Sequence, residues 1–98
     1  MSVECTRHSN GKVVCKFIGR IDTTKCIDDE KTVMSSIDGA ELIVFDLDGV
    51  EYIASSFLRL CGKASHKVSS NNFSIVNLTP SVKKVFKIAG LAEKLNLN

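Results

Sequence analysis

Ser55 and Ser56 follow a strand, Leu42 to Leu47, and the loop at its end, and open an amphipathic stretch with helical spacing. A helix N-terminus leaves its first N–H groups without partners and carries the positive end of the helix dipole, so an anion is favoured there. A phosphate on either serine would sit on its own helix, with Arg59 within one turn to pair it. A serine at that position also suits a plain helix cap; one hydroxyl can cap while the other is modified. Other reactive types are sparse. Asp46 and Asp48 bracket a strand end and have the chemistry for acid/base or divalent-metal work, yet single carboxylates favour turns and caps. His8 and His66 neighbour no nucleophile, and there is no GxSxG elbow, Walker loop or GxGxxG. The expectation is a protein that is not an enzyme, with no catalytic residue. Cys5, Cys15, Cys26 and Cys61 are spaced by 10, 11 and 35 residues, without the short paired knuckle of zinc sites. They read as four reduced small hydrophobes of a cytosolic protein, with no metal and no cofactor.

The elements that must hold the serine pair are readable from pattern. Val3 to Arg7 and Val13 to Ile18 flank His8-Ser9-Asn10-Gly11-Lys12, and Asn-Gly is a strong hairpin signal because both residues tolerate positive φ. Val13, Cys15 and Phe17 alternate with Val14 and Ile18, so both faces of the second strand are at least partly covered, as in an inner strand. After the loop 19–24, Ile27, Val33, Met34 and Ile37 recur at helical spacing over about Lys25 to Ser36. Asp28, Asp29 and Glu30 lie near that helix's start, where negative charge suits the dipole. Asp38-Gly39 breaks the helix, and Leu42 to Leu47 reads as a buried strand.

The serine pair then opens a helix over about Ser56 to Ser69. Phe57, Leu60, Cys61, Ala64 and Val68 share one arc of it, and Arg59, Lys63 and Lys67 step by four along another. A strand from Phe73 to Leu78 follows; Thr79 caps a last helix with Pro80 at its first position and Gly90 at its end. The order β-β-α-β-α-β-α predicts an α/β fold: a mixed sheet of four to five strands, an N-terminal hairpin plus parallel strands, flanked by three to four helices.

The chain has 98 residues, 44% hydrophobic and 24% charged, which suits one domain spanning 1–98 and excludes a disordered chain. Its longest apolar run, Leu42 to Phe45, is far too short to span a bilayer, and the first ten residues lack a signal-peptide core. These absences predict a cytoplasmic protein with no membrane span. Residues 1–55 carry 6 Lys and Arg against 10 Asp and Glu, while residues 56–98 carry 7 against 1. With no Trp, one Tyr and no aromatics interleaved with Arg, the basic half favours a protein partner over nucleic acid.

Four segments together resemble the STAS domain family, and more narrowly its free-standing anti-sigma factor antagonists. Ile18-Gly19-Arg20-Ile21-Asp22 is similar to the family's G-x-[LI]-D loop, and Leu42 through Ile53 to its hydrophobic strand followed by D-L-s-x-V and Y-I. Ala54-Ser55-Ser56-Phe57-Leu58 falls where the family has D-S-S/A-G-L, and Asn77 through Val82 with Ala89-Gly90-Leu91 resembles its closing segment. The resemblance implies a domain that binds an anti-sigma factor with serine kinase activity and is released when the kinase phosphorylates a serine, with a phosphatase as a further partner. Ser55 and Ser56 are then the phosphorylation candidates. Asp22, Ala54, Ser55, Ser56, Phe57, Arg59 and Lys63 form the implied partner surface. Ala54 stands where the family commonly has Asp, and Phe57 where it has Gly, placing a bulky ring near the contact surface or in the core. A second reading within the family is a cytoplasmic adaptor subunit of a lipid-trafficking ABC transporter, which suits the loss of Asp at Ala54 and the basic stripe.

Overall fold

The computed structural model describes residues 3–92 and 94–97. It opens with the expected hairpin: β1 (Val3–Arg7) pairs antiparallel with β2 (Lys12–Phe17), Val3 opposite Phe17 and Arg7 opposite Val13. The turn differs from a two-residue Asn-Gly hairpin, because of the pair only Gly11 takes positive φ, at +85°. Asn10 instead uses its side chain, Oδ1 accepting from the Lys12 N–H at 3.2 Å. A longer loop closed by a left-handed glycine is the next most common hairpin geometry. The Gly11 carbonyl also accepts the Glu41 N–H at 2.9 Å, tying the turn to the start of β4.

The remaining elements are β3 (Arg20–Ile21), α1 (Thr23–Ser36), β4 (Leu42–Asp46), β5 (Tyr52–Ile53), α2 (Ser55–Ser65), β6 (Phe73–Val76) and α3 (Pro80–Ile88). The main sheet runs β1-β2-β4-β6, with β2, β4 and β6 parallel; β3 and β5 form a separate parallel pair. The fold is therefore the expected α/β mixed sheet, with four strands in the main sheet and three α-helices. Val13, Cys15, Phe17, Ile43, Phe45, Phe73 and Ile75 are buried, while Val14, Val44 and Ser74 between them are only half-buried. Ile18, on that partly covered face, is 47% exposed just beyond β2.

Local chemistry explains most element ends. Asp22 caps α1, Oδ1 accepting from the Lys25 N–H at 2.8 Å, so the helix starts at Thr23 rather than Lys25. The acidic run 28–30 then falls beyond the first turn and does not serve the dipole as expected. On α1 Cys26 and Val33 are buried, as is Ile37 at its C-cap, whereas Ile27 is 67% exposed. One helical step, about 100°, separates residues 26 and 27, and packing against α2, whose Ser56 lies beside Cys26, selects the thiol. Helix α2 stops at Ser65 rather than Ser69, as the His66 and Lys67 N–H groups shift to carbonyls three residues back. Strand β6 ends at Val76 instead of Leu78 because Asn77 turns left-handed, at φ 59°.

At α3 the expected signals are all in use: Thr79 Oγ1 accepts from the Val82 N–H, and Pro80 is the first residue. The Gly90 N–H donates to Lys87 O and the Leu91 N–H to Phe86 O, both at 3.0 Å, closing a Schellman end. Leu97 forms a bridge beside Ile75, and Leu95 is buried, so the tail covers the β6 edge.

Candidate functional site

The pair β3 and β5 builds the site. Each strand is two residues long, Arg20 opposite Tyr52 and Ile21 opposite Ile53, and the Ala54 N–H extends the ladder to Ile21 O at 2.8 Å. Each strand runs directly into a helix, β3 through Asp22 into α1 and β5 through Ala54 into α2. The segments 18–22 and 52–58, far apart in sequence, are thereby stitched together with two helix N-termini at one corner. Ile21 and Ile53 anchor the corner in the core, while the Arg20 guanidinium lies 4.5 Å from the Tyr52 ring centroid on the outside. Sequence reading missed this pairing, since two-residue strands carry no periodicity.

The serines separate cleanly. Neither caps α2: the N-cap is Ala54, which makes no side-chain hydrogen bond to the helix. Ser55 is the first helical residue and exposed. Ser56 is second, and its Oγ is buried with no hydrogen-bond partner in bonding geometry. The Cys26 thiol of α1 lies near enough to feel that hydroxyl, although burial is the larger effect and pushes the thiol up.

Two of the expected contact residues are buried. Phe57 is fully buried, edge-on to Phe17 with ring centroids 5.0 Å apart and 6.2 Å from Phe45, so it braces the corner from beneath. Ala54 is 7% exposed and offers a partner almost nothing; a residue without a polar side chain there leaves the N–H groups of α2 uncapped. Asp22, Ser55, Arg59 and Lys63 are exposed. Asp22 has a structural duty as the α1 cap, and Lys63 pairs with Glu30 of α1 at 3.2 Å.

Beside α2 lies an open groove of about 610 Å³, with Met34, Leu58 and Leu91 as its apolar part and Arg59, Lys63 and Lys67 on its rim. The basic stripe thus borders an apolar groove. Asp46 and Asp48 do not form an acid/base pair: Asp46 Oδ1 accepts the Asp48 N–H and the Asn77 side-chain amide, each at 3.0 Å, which is a turn device. Among the described residues no three His, Cys, Asp or Glu side chains group to hold a metal ion, and no helix is long and apolar enough to cross a membrane.

The family model of the STAS domain matches residues 5–98. No curated protein matches the chain. Among solved structures, an anti-sigma factor antagonist from Mycobacterium paratuberculosis is similar with a TM-score of 0.84 at 23% identity, over 97% of this chain and 82% of that one. An anti-sigma-factor antagonist (STAS) domain protein from Planctomyces limnophilus gives 0.81 at 20% identity, over 98% and 87%. The phosphorylated form of the Bacillus cell fate determinant SpoIIAA gives 0.71 at 16%, over 98% and 90%. At these identities the likeness is one of fold.

Proposed function

The chain belongs to the STAS domain family, and on that footing we propose that it is an anti-sigma factor antagonist, a binding protein rather than an enzyme, acting in the cytoplasm. Its partner is an anti-sigma factor with serine kinase activity, which docks on the corner where β3 and β5 meet and along the exposed side of α2. What carries the reading is the contrast at the start of α2: Ser55 is exposed at the first helical position while the Ser56 oxygen is buried. Ser55 is therefore the residue a kinase reaches.

The switch follows from charge. A phosphate brings roughly −1.5 to −2 charges to a surface that partner residues must approach. At the N-terminus of α2 it meets uncapped N–H groups and the positive end of the dipole, and Arg59 lies one turn on. The modification is thus stabilised locally without unfolding the helix, and it acts by repelling the bound partner. Asp22, Arg59 and Lys63 set the charge pattern around it, and a phosphatase restores the free hydroxyl.

The test is affinity capture of the tagged chain from its native host, with mass spectrometry of the co-eluting proteins and of the peptide holding Ser55. The expected result is a kinase-type anti-sigma factor bound to the unphosphorylated chain, retained by Ser55→Ala and lost in Ser55→Asp. Recovery of membrane-transporter subunits with Ser55 always unmodified would overturn the reading in favour of a transport adaptor.

A further inference from the structure

Away from that corner, the hairpin brings two thiols into contact. Cys5 on β1 stands directly opposite Cys15 on β2, and their sulfurs share a hydrogen bond at 3.2 Å. The His8 N–H donates to Lys12 O at 2.7 Å, which makes that a hydrogen-bonded pair and sets the alternation along the ladder. Arg7 with Val13, and then Cys5 with Cys15, are consequently non-hydrogen-bonded pairs, whose side chains approach most closely and whose Cα atoms are about 4.5 Å apart. Disulfides span Cα separations of about 4.4 to 6.8 Å, so a bond here needs side-chain rotation and no rearrangement of the sheet.

The two sulfurs are unequal. Cys15, Cys26 and Cys61 are buried, whereas Cys5, on the edge strand of the sheet, is partly exposed. The neighbouring Cys15 thiol, helped by the Ser36 hydroxyl, holds Cys5 down at about 7 against burial and the Asp29 carboxylate of α1. The same contact, with burial, pushes Cys15 up, so the pair gives up one proton and Cys5 carries the charge. Burial pushes Cys26 and Cys61 up as well.

We infer that Cys5 and Cys15 form a hydroperoxide-reactive dithiol site, Cys5 as nucleophile and Cys15 as resolving thiol, whose product is a disulfide between β1 and β2. The Cys5 thiolate attacks one peroxide oxygen; the O–O bond breaks, the other oxygen leaves and takes a proton as water or an alcohol, and Cys5 becomes a sulfenic acid. Cys15 then attacks the Cys5 sulfur, the S–S bond forms, the S–O bond breaks, and the departing hydroxide leaves as water with the Cys15 proton. In sum, two thiols and one hydroperoxide give one disulfide, one water and one alcohol or second water, sulfur losing the two electrons that the peroxide oxygens gain. The second step is fast because the resolving thiol is already in contact.

Peptide mapping tests this directly. Trypsin cuts after Arg7, Lys12 and Lys16, so Cys5 and Cys15 fall on different peptides unless they are bonded. The reduced full-length chain is exposed to excess hydrogen peroxide, alkylated in denaturant and digested. The expected product is peptide 1–7 joined to 13–16, lighter than their sum by two hydrogens and separated by dithiothreitol, with Cys26 and Cys61 alkylated. Cys5 over-oxidised to the sulfinic acid beside a free Cys15, a Cys5 link between two chains, or four alkylated thiols would each overturn the inference. In Cys15→Ser, Cys5 is expected to persist as a sulfenic acid trapped by dimedone; should that variant misfold by circular dichroism, the wild-type peptide map decides.

Discussion

Ser55 and Ser56 differ by one step of about 100° around α2, and that step separates an exposed hydroxyl from one whose oxygen is out of reach of water. A buried hydroxyl without a partner keeps its desolvation cost and receives little in return, so replacing it by a methyl is neutral or favourable. Ser56→Ala is accordingly expected to leave stability unchanged or raise it by about 1 kcal/mol, read from the urea midpoint. Ser55→Ala is expected to stay within about 0.5 kcal/mol of wild type, as an exposed substitution that removes no cap. Cys5 gives a second residue-level expectation. Its thiolate is the reactive form and its titration is centred at about 7, with Cys15 on β2 and Ser36 and Asp29 on α1 as the groups that face it. Iodoacetamide labelling of Cys5 should be slow at acid pH, climb through neutrality and level off above it, while the buried Cys26 and Cys61 stay unlabelled. A labelling curve that rose only near the usual thiol range would show that Cys15 does not stabilise the Cys5 thiolate. The presence of hydroxyls and thiols is plain in the sequence, but which of two neighbours meets solvent depends on what the rest of the chain lays over them.

The ends of α3, set by the few residues around them, are the most legible in the sequence. Thr79, Pro80 and Gly90 mark α3 because a cap acceptor, a missing N–H and a left-handed glycine each answer a local backbone requirement. Asp22 belongs to the same class, yet in the sequence it reads as a partner contact, since a capping carboxylate and a recognition carboxylate look alike in a loop. The two duties separate experimentally. Asp22→Ala should cost about 1 kcal/mol through loss of the bond to the Lys25 N–H, whereas Asp22→Asn keeps a cap acceptor and most of the stability. If Asp22→Asn keeps the unfolding midpoint but weakens capture of the partner, the charge itself serves recognition. The short pair of β3 with β5 was not legible, because two residues show no alternation and their partners lie on another segment. The choice of Cys26 over Ile27 as the buried residue of α1 is hidden for a related reason: both are apolar, and only the packing of α1 on α2 and β1 decides the helix's rotation.

In the whole molecule, the site rests on the core through Phe57 as well as Ile21 and Ile53. Phe57 packs among Phe17 and Phe45, and Phe45 in turn meets Phe73 at 5.1 Å, so the start of α2 is tied to β2, β4 and β6. Phe57→Ala is expected to cost about 3–5 kcal/mol, a large part of the roughly 5–15 kcal/mol that such domains possess. Urea unfolding should show that loss, with partner capture falling only as the folded fraction falls; Phe57→Leu, keeping most of the volume, should lose less of both. Arg59→Glu is the counterpart: exposed on the groove rim, it should leave the unfolding midpoint in place and weaken partner capture at low salt. The sequence by itself determined the α/β class, the order of the main elements, the hairpin and the ends of α3, because periodicity and capping act between residues a few positions apart. Tertiary structure alone decided that Ser55 faces out and Ser56 in, that Phe57 is core, and that the corner is stitched from two distant segments. It also decided that Cys5 meets Cys15. Each of these depends on strand register and on which face of a helix is pressed against the sheet, and those are settled by contacts between residues remote in the chain.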